Sequence, residues 1–177
     1  AQLGIPVKLL NTMDPSAKGT TISEETDNSK GKVKALAAKD GITAIKIKSA
    51  RMLLAYGFLR SVFEVFERFK TPIDMITTSE VAVSLTIDDT THLKEIIIEL
   101  EAFGSVELDE DQAIVCIVGS MVSETEGVAV KLFESLKEVP VRMISYGGSK
   151  HNISVLIDAK YKQKALQSLN DGLFTFE

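Results

Sequence analysis

Residues 57–88, GFLRSVFEVFERFKTPIDMITTSEVAVSLTID, and residues 127–158, GVAVKLFESLKEVPVRMISYGGSKHNISVLID, follow one plan. Each runs from a glycine through an amphipathic helix, a proline, an apolar strand and a polar turn to an alternating strand that ends in aspartate. Gly57 answers to Gly127, Phe63 to Phe133, Pro72 to Pro140, Met75 and Ile76 to Met143 and Ile144, and Asp88 to Asp158. The chain carries a tandem duplication. Two copies are too few for a solenoid, whose units need about three neighbours to bury a continuous core. Each copy is therefore a small domain, or half of a paired one.

Working outward, the remaining elements fall into place. Leu59, Val62, Phe63, Phe66 and Phe69 recur at helical spacing, with Arg60, Glu64, Glu67 and Arg68 elsewhere on the wheel, so this helix packs one side against a sheet. Pro72 is expected to stop it. Ile73 to Thr77 and Val81 to Ile87 read as strands, followed by a helix from about Thr91 to Phe103 and a strand over Val106 to Leu108. Upstream, Ile42 to Lys48 alternates Ile45 and Ile47 with Lys46 and Lys48, the pattern of a strand with one buried face. Together these make the split βαβ, or ferredoxin-like, order. The second copy supplies a strand (Ile114 to Val118), a helix (Val128 to Glu138), two strands (Val141 to Ser145, Ile153 to Ile157) and a helix (Tyr161 to Leu173). It lacks a sixth strand, while Val33 to Ala38, separated from the next strand by an expected tight turn at Asp40-Gly41, has no partner. The early strand is inferred to complete the second unit. The expected fold is α+β, an α/β sandwich of two ferredoxin-like βαββαβ units, the first inserted in the second.

Composition narrows the function. The chain has 177 residues, 45% hydrophobic and 25% charged, with a formal net charge of -5. That balance suits a globular protein and argues against tracking a phosphate backbone, so no nucleic acid is expected. No apolar run reaches the roughly 18 residues of a membrane span, the first thirty residues do not read as a signal peptide, and one cysteine makes no internal disulfide. A cytoplasmic protein with no membrane partner is the expectation. The opening GIPVKLL reads as a buried parallel-type strand arriving from an earlier helix, so the chain looks like a fragment. Ser23 to Lys32, SEETDNSKGK, is polar and turn-rich like a linker.

The run MITTSEVAVSLTID (Met75 to Asp88), preceded by MLLAYGFL (Met52 to Leu59), resembles the regulatory part of monofunctional, lysine-sensitive aspartokinases (aspartate kinases). MISYGGSKHNISVLI resembles their second regulatory unit, and IPVKLLNTMDPSAKGTTI the end of their kinase domain. The resemblance spans the chain in order. It implies ACT units: residues 1–25 as the kinase-domain remnant, 26–41 as a linker plus the strand completing the second unit, 42–110 as the first, effector-binding ACT domain, and 111–177 as the second. It implies a parent enzyme that phosphorylates aspartate with ATP and Mg, feedback inhibition by an amino acid, and a homodimer joined through ACT domains. The family's Lys-Phe-Gly-Gly kinase motif has no match, so no catalytic residue and no cofactor are expected in this segment.

An amino-acid effector needs donors for its carboxylate, acceptors for its ammonium and a wall for its side chain. Gly57, Phe58 and Leu59 open a helix whose first-turn amides lack intrahelical acceptors, which favours an anion; the plain alternative is a strand-to-helix turn. Asp74 puts a carboxylate where the second copy has Arg142, which suits a cationic ligand; the plain alternative is a solvated strand end. Carried over from the resemblance are Met52 and Ala55 before Gly57, Ile73 beside Asp74, and Thr78, Ser79 and Glu80 in the polar turn. Met52 otherwise fills core, and Thr78 to Glu80 otherwise make a hairpin. Lysine is the expected effector, with threonine and S-adenosylmethionine as alternatives, and a purely structural dimerisation module as the rival class. His92 and His151 lack metal-ligand spacing, so no metal is expected. Cys116 is expected to be a buried, inert thiol, and Gly147 to Ser149 a hairpin turn.

Overall fold

A computed structural model describes residues 5–22, 33–49, 56–120 and 122–174. The chain divides into two compact units, residues 1–32 and 33–177. In the first, β1 (Val7–Leu9) pairs antiparallel with β2 (Thr20–Ile22). Val7 and Leu9 are exposed, which corrects the expectation of a buried parallel strand. The turns seeded by Asn11 and Asp14, whose side chains accept the Met13 and Ser16 amides, fold the chain back on itself and supply an antiparallel neighbour.

The second unit contains β3 (Val33–Lys48), α1 (Phe58–Arg68), β4 (Ile76–Thr78), β5 (Ala82–Ile87), α2 (Leu93–Leu100), β6 (Ser105–Gly119), α3 (Val128–Ser135), β7 (Val141–Ser145), β8 (Asn152–Asp158) and, after a 3-10 turn, α4 (Lys162–Leu173). One six-stranded antiparallel sheet runs β4-β5-β3-β6-β8-β7. The order reads the same from either end when the copies are exchanged. Two ferredoxin-like units, the first inserted in the second, are thereby fused through β3 and β6. The first half of β3 pairs with the second half of β6 (Val33 with Gly119, Lys39 with Ile114), and the second half of β3 with the first half of β6 (Ala44 with Asp109, Lys48 with Ser105).

The expected turn at Asp40-Gly41 is a kink within one strand. β3 continues through it with register shifts between Lys39 and Ala44, Gly41 taking φ +71° and Asp111 of β6 φ +53°. Long ladders on both sides outweigh a two-residue turn signal, and glycine absorbs the distortion as a bulge. Pro72 likewise does not itself end α1. Lys70 adopts a left-handed φ of 51° and the Thr71 N–H reaches back to the Phe66 carbonyl at 3.0 Å, which closes the helix two residues earlier.

Two cores lie under the helices. Ile45, Ile47, Val62, Val65, Phe66, Val83, Leu85, Ile87, Ile96 and Leu100 form the first; Val115, Ile117, Leu132, Ile153, Val155, Ile157, Ala165 and Leu169 belong to the second. Leu59 and Phe63, expected on the buried stripe, are 37% and 41% exposed. Helical spacing made the apolar face of α1 wider than the sheet covers. On the opposite sheet face a small third core joins the copies: Ile42, Ala44 and Met75 meet Ile114, Met143 and Leu156. It curls the sheet until the edge strands β4 and β7 touch. Cys116 is half-buried, because it alternates with Val115 and Ile117 and so faces away from the helical core.

Candidate functional site

Gly57 precedes α1 with φ 84° and ψ 2°, and Gly127 precedes α3 with φ 78° and ψ -15°. This left-handed geometry is costly for any residue with a Cβ, so glycine is what lets the chain turn from loop into helix. The start of α1 is exposed at Gly57 and Leu59, where first-turn amides lack intrahelical acceptors. Phe58 instead packs on the first core, its ring edge-on to Phe103 at 6.2 Å. Met52 and Ala55 lie outside the described residues.

Asp74 sits just before β4. Its N–H donates to the Thr86 carbonyl at 2.9 Å, and the next amide, Met75, donates to the buried Thr86 hydroxyl at 2.9 Å. These bonds fix the backbone and leave the Asp74 carboxylate partly exposed, at 24%. Lys39 Nζ lies 2.7 Å from Asp74 Oδ1 and 2.6 Å from Asp88 Oδ2. Hydrogen bonds to Asp74 and Asp88 push the Lys39 ammonium pKa up, and the bond from Lys39 holds the Asp88 carboxyl below the usual carboxylate range. Asp74 thus binds a primary ammonium. Ile73 beside it is half-buried against the first core.

At the other end of β4, Thr78 and Ser79 line a groove of about 490 Å³ with Lys46, Lys48, Thr77 and Ser84. The Ser79 N–H and hydroxyl both donate to the Ala82 carbonyl, at 2.8 and 3.4 Å, so the turn reading of this stretch holds as local geometry. Glu80 is exposed at its tip. Lys48 donates to Glu107 at 2.5 Å and so keeps that carboxyl below its ordinary pKa. Thr78 is four residues from Asp74 along an extended run, about 13 Å at the rise of a strand. One chain therefore separates the expected residues into two groups: Asp74 and Ile73 at one end of β4, and Thr78, Ser79 and Glu80 at the other.

The second copy offers the mirror of the first in charge. Arg142 of β7 pairs with Asp109 of β6. Lys39 and Asp109 stand at corresponding places on the two long strands, as Asp74 and Arg142 do at the two edges. Sequence reasoning missed Lys39, Asp88 and Asp109. The signal was present: aligning the copies shows the sign of charge inverted at both positions of one pair, as a contact would require. Among the described residues no three His, Cys, Asp or Glu side chains gather as a metal site. His92 is exposed, its ring 5.7 Å from Phe69, and His151 Nδ1 lies 3.3 Å from the Gly119 carbonyl. No helix of the described residues is long and apolar enough to cross a membrane.

Known proteins share this architecture. An ACT domain family model matches residues 115–173. The lysine-sensitive aspartokinase 3 of Escherichia coli K12 is 35% identical over 96% of the chain, which spans 39% of that protein's length. The E. coli aspartokinase III structure in complex with lysine and aspartate, a T-state, superposes with a TM-score of 0.83 at 34% identity, covering 98% of this chain and 40% of that one. A structure described as a C-terminal regulatory domain of aspartate kinase from Porphyromonas gingivalis W83 is 50% identical with a TM-score of 0.73, covering 80% of this chain and 97% of its own. By duplication, sheet order and these likenesses, the chain belongs to the aspartokinase family and corresponds to its ACT-domain regulatory region.

Proposed function

We propose that this chain senses lysine and, through it, feedback-regulates an enzyme that phosphorylates aspartate with ATP in amino-acid biosynthesis. The observation that carries the reading is the carboxylate of Asp74, which holds an ammonium at 2.7 Å at the edge of the first unit, where the second unit has a guanidinium. Amides at the start of α1 supply donors for the effector's carboxylate. The lysine complex of the E. coli relative supports an amino-acid effector of this class.

The separation of Asp74 from Thr78, Ser79 and Glu80 supports a site completed by a second copy. Antiparallel apposition of two β4 segments about a two-fold axis places the start of one against the end of the other. Asp74 of one protomer would then face the partner's Ser79 and the partner's Glu80. Leu59 and Phe63, partly exposed and apolar, fit such a seam better than open solvent. Residues 42–110 act as the effector-binding ACT domain, 111–177 as the second, and 26–41 as the connection through which lysine favours an inactive state of the kinase domain. By linkage, substrates that favour the active state oppose lysine binding.

Calorimetric and thermal-shift titrations with lysine, threonine, methionine and S-adenosylmethionine test the reading. Lysine at about a hundred times its Kd stabilises by roughly 2.7 kcal/mol, several degrees in Tm. Response to lysine, lost at least tenfold in Asp74→Ala, is the expected result. A response to another ligand reassigns the effector, and silence from all four leaves a structural dimerisation module.

A further inference from the structure

A cation already stands where the effector's would go. Lys39 reaches from β3, thirty-five residues before Asp74, to place its ammonium between Asp74 Oδ1 and Asp88 Oδ2. Both bonds raise its pKa, so it stays charged across the physiological range. The side-chain ammonium of a lysine effector is the same chemical group seeking the same acceptor. Two arrangements are open to it. It replaces Lys39 on Asp74 and leaves Lys39 to Asp88, or it takes the second carboxylate oxygen and brings two ammonium groups onto one carboxylate. The first breaks a made ion pair and the second adds like-charge repulsion, so in either case Lys39 opposes binding.

We propose that Lys39 is a tethered competitor for the cationic subsite, setting the threshold concentration of lysine and acting only on ligands with a charged side chain. This rests on the effector reading above. The pair is partly solvated, with the Lys39 side chain 47% exposed, so the expected size is modest. An exposed pair corresponds to about two- to fivefold in affinity, and relief of the unneutralised Asp74–Asp88 repulsion by the ligand extends this towards tenfold. The contrary role, in which Lys39 positions Asp74 for the ligand, predicts the opposite sign.

The test is isothermal calorimetry on the wild-type chain, Lys39→Met and Lys39→Arg at one fixed ionic strength, with lysine and with norleucine, which has the same carbon chain and α-ammonium but no side-chain ammonium. Lysine is expected to bind Lys39→Met about three- to tenfold more tightly than wild type, Lys39→Arg to stay within about twofold, and norleucine to be indifferent to both substitutions. Wild-type binding of lysine with unchanged or weaker affinity in Lys39→Met overturns the competitor role and leaves the effector site standing. Equal tightening of norleucine also overturns it, by showing that packing rather than charge has changed. Lysine binding to neither wild type nor Lys39→Met removes the effector reading and this inference together.

Discussion

At the edge of the first copy Asp74 faces Lys39, whereas at the edge of the second Arg142 faces Asp109. Around these pairs the two copies agree closely. Gly57 and Gly127 share a left-handed turn, and the strand registers correspond, with Thr43 of β3 opposite Ile87 of β5 and Ala113 of β6 opposite Ile157 of β8. At each edge an ion pair ties the edge segment to a long central strand, and the shared backbone accepts either polarity. In the proposed function, the sign at the edge selects the ligand, and the duplication then separates what holds the sheet from what chooses the effector.

The comparison breaks first, and with the largest effect, if the copies are thermodynamically independent. Phe66 and Leu136 occupy corresponding core positions, each 2% exposed. Phe66→Ala should cost about 3–5 kcal/mol and Leu136→Ala about 2–5 kcal/mol. Because β3 and β6 each serve both cores, either substitution should lower one common unfolding transition in differential scanning calorimetry. Two separated transitions in Phe66→Ala would show that the shared strands do not couple the units.

Charge polarity gives the next effect. Asp74→Ala should weaken lysine at least tenfold, about 1.4 kcal/mol, while Arg142→Ala should change lysine affinity less than about twofold. Equal losses in calorimetric titrations of the two variants would mean that both copies contribute to one site or that the effect is structural. The turn gives an effect of similar size. An added Cβ at Gly57 or Gly127 meets nothing within 4 Å, so alanine there carries only the strain of a positive φ, about 1–2 kcal/mol in stability. Stability should fall alike in both variants by chemical denaturation, and lysine affinity should fall only in Gly57→Ala.

Much of this was legible in the sequence. The duplication, the Ile45 and Ile47 alternation and the Val62 and Phe66 spacing carried the fold, since burial imposes those periods directly. The kink at Asp40-Gly41 was not legible as such, because a local turn signal says nothing of the ladders on either side. GIPVKLL read as buried from its apolarity alone, and Val7 and Leu9 are exposed. Of the candidate site, Asp74 stood out by its contrast with Arg142, but its partner lies thirty-five residues away and no local pattern marks such a contact. Only the paired inversion of Lys39 with Asp109 and Asp74 with Arg142 encodes it.

The smallest effect concerns acid. Asp88 and Asp158 close corresponding strands, and both carboxyls are held below the usual range, Asp88 chiefly by Lys39 and Asp158 chiefly by Lys160. A depressed folded-state pKa contributes stability above the unfolded value near 3.9, and that stability is lost as pH falls through the folded value. The partners differ in reach. Lys160 is two residues from Asp158, and both its backbone N–H and its ammonium donate to the Asp158 carboxylate, a local contact that the unfolded chain can keep in part, so less of the shift is specific to the fold. Lys39 comes from a strand forty-nine residues before Asp88 and meets it only in the fold. Asp88→Asn should therefore flatten the loss of stability below about pH 4 more than Asp158→Asn does. Denaturant midpoints measured between pH 7 and pH 3 read the difference, and an equal flattening in the two variants would place the long-range and local pairs on the same footing.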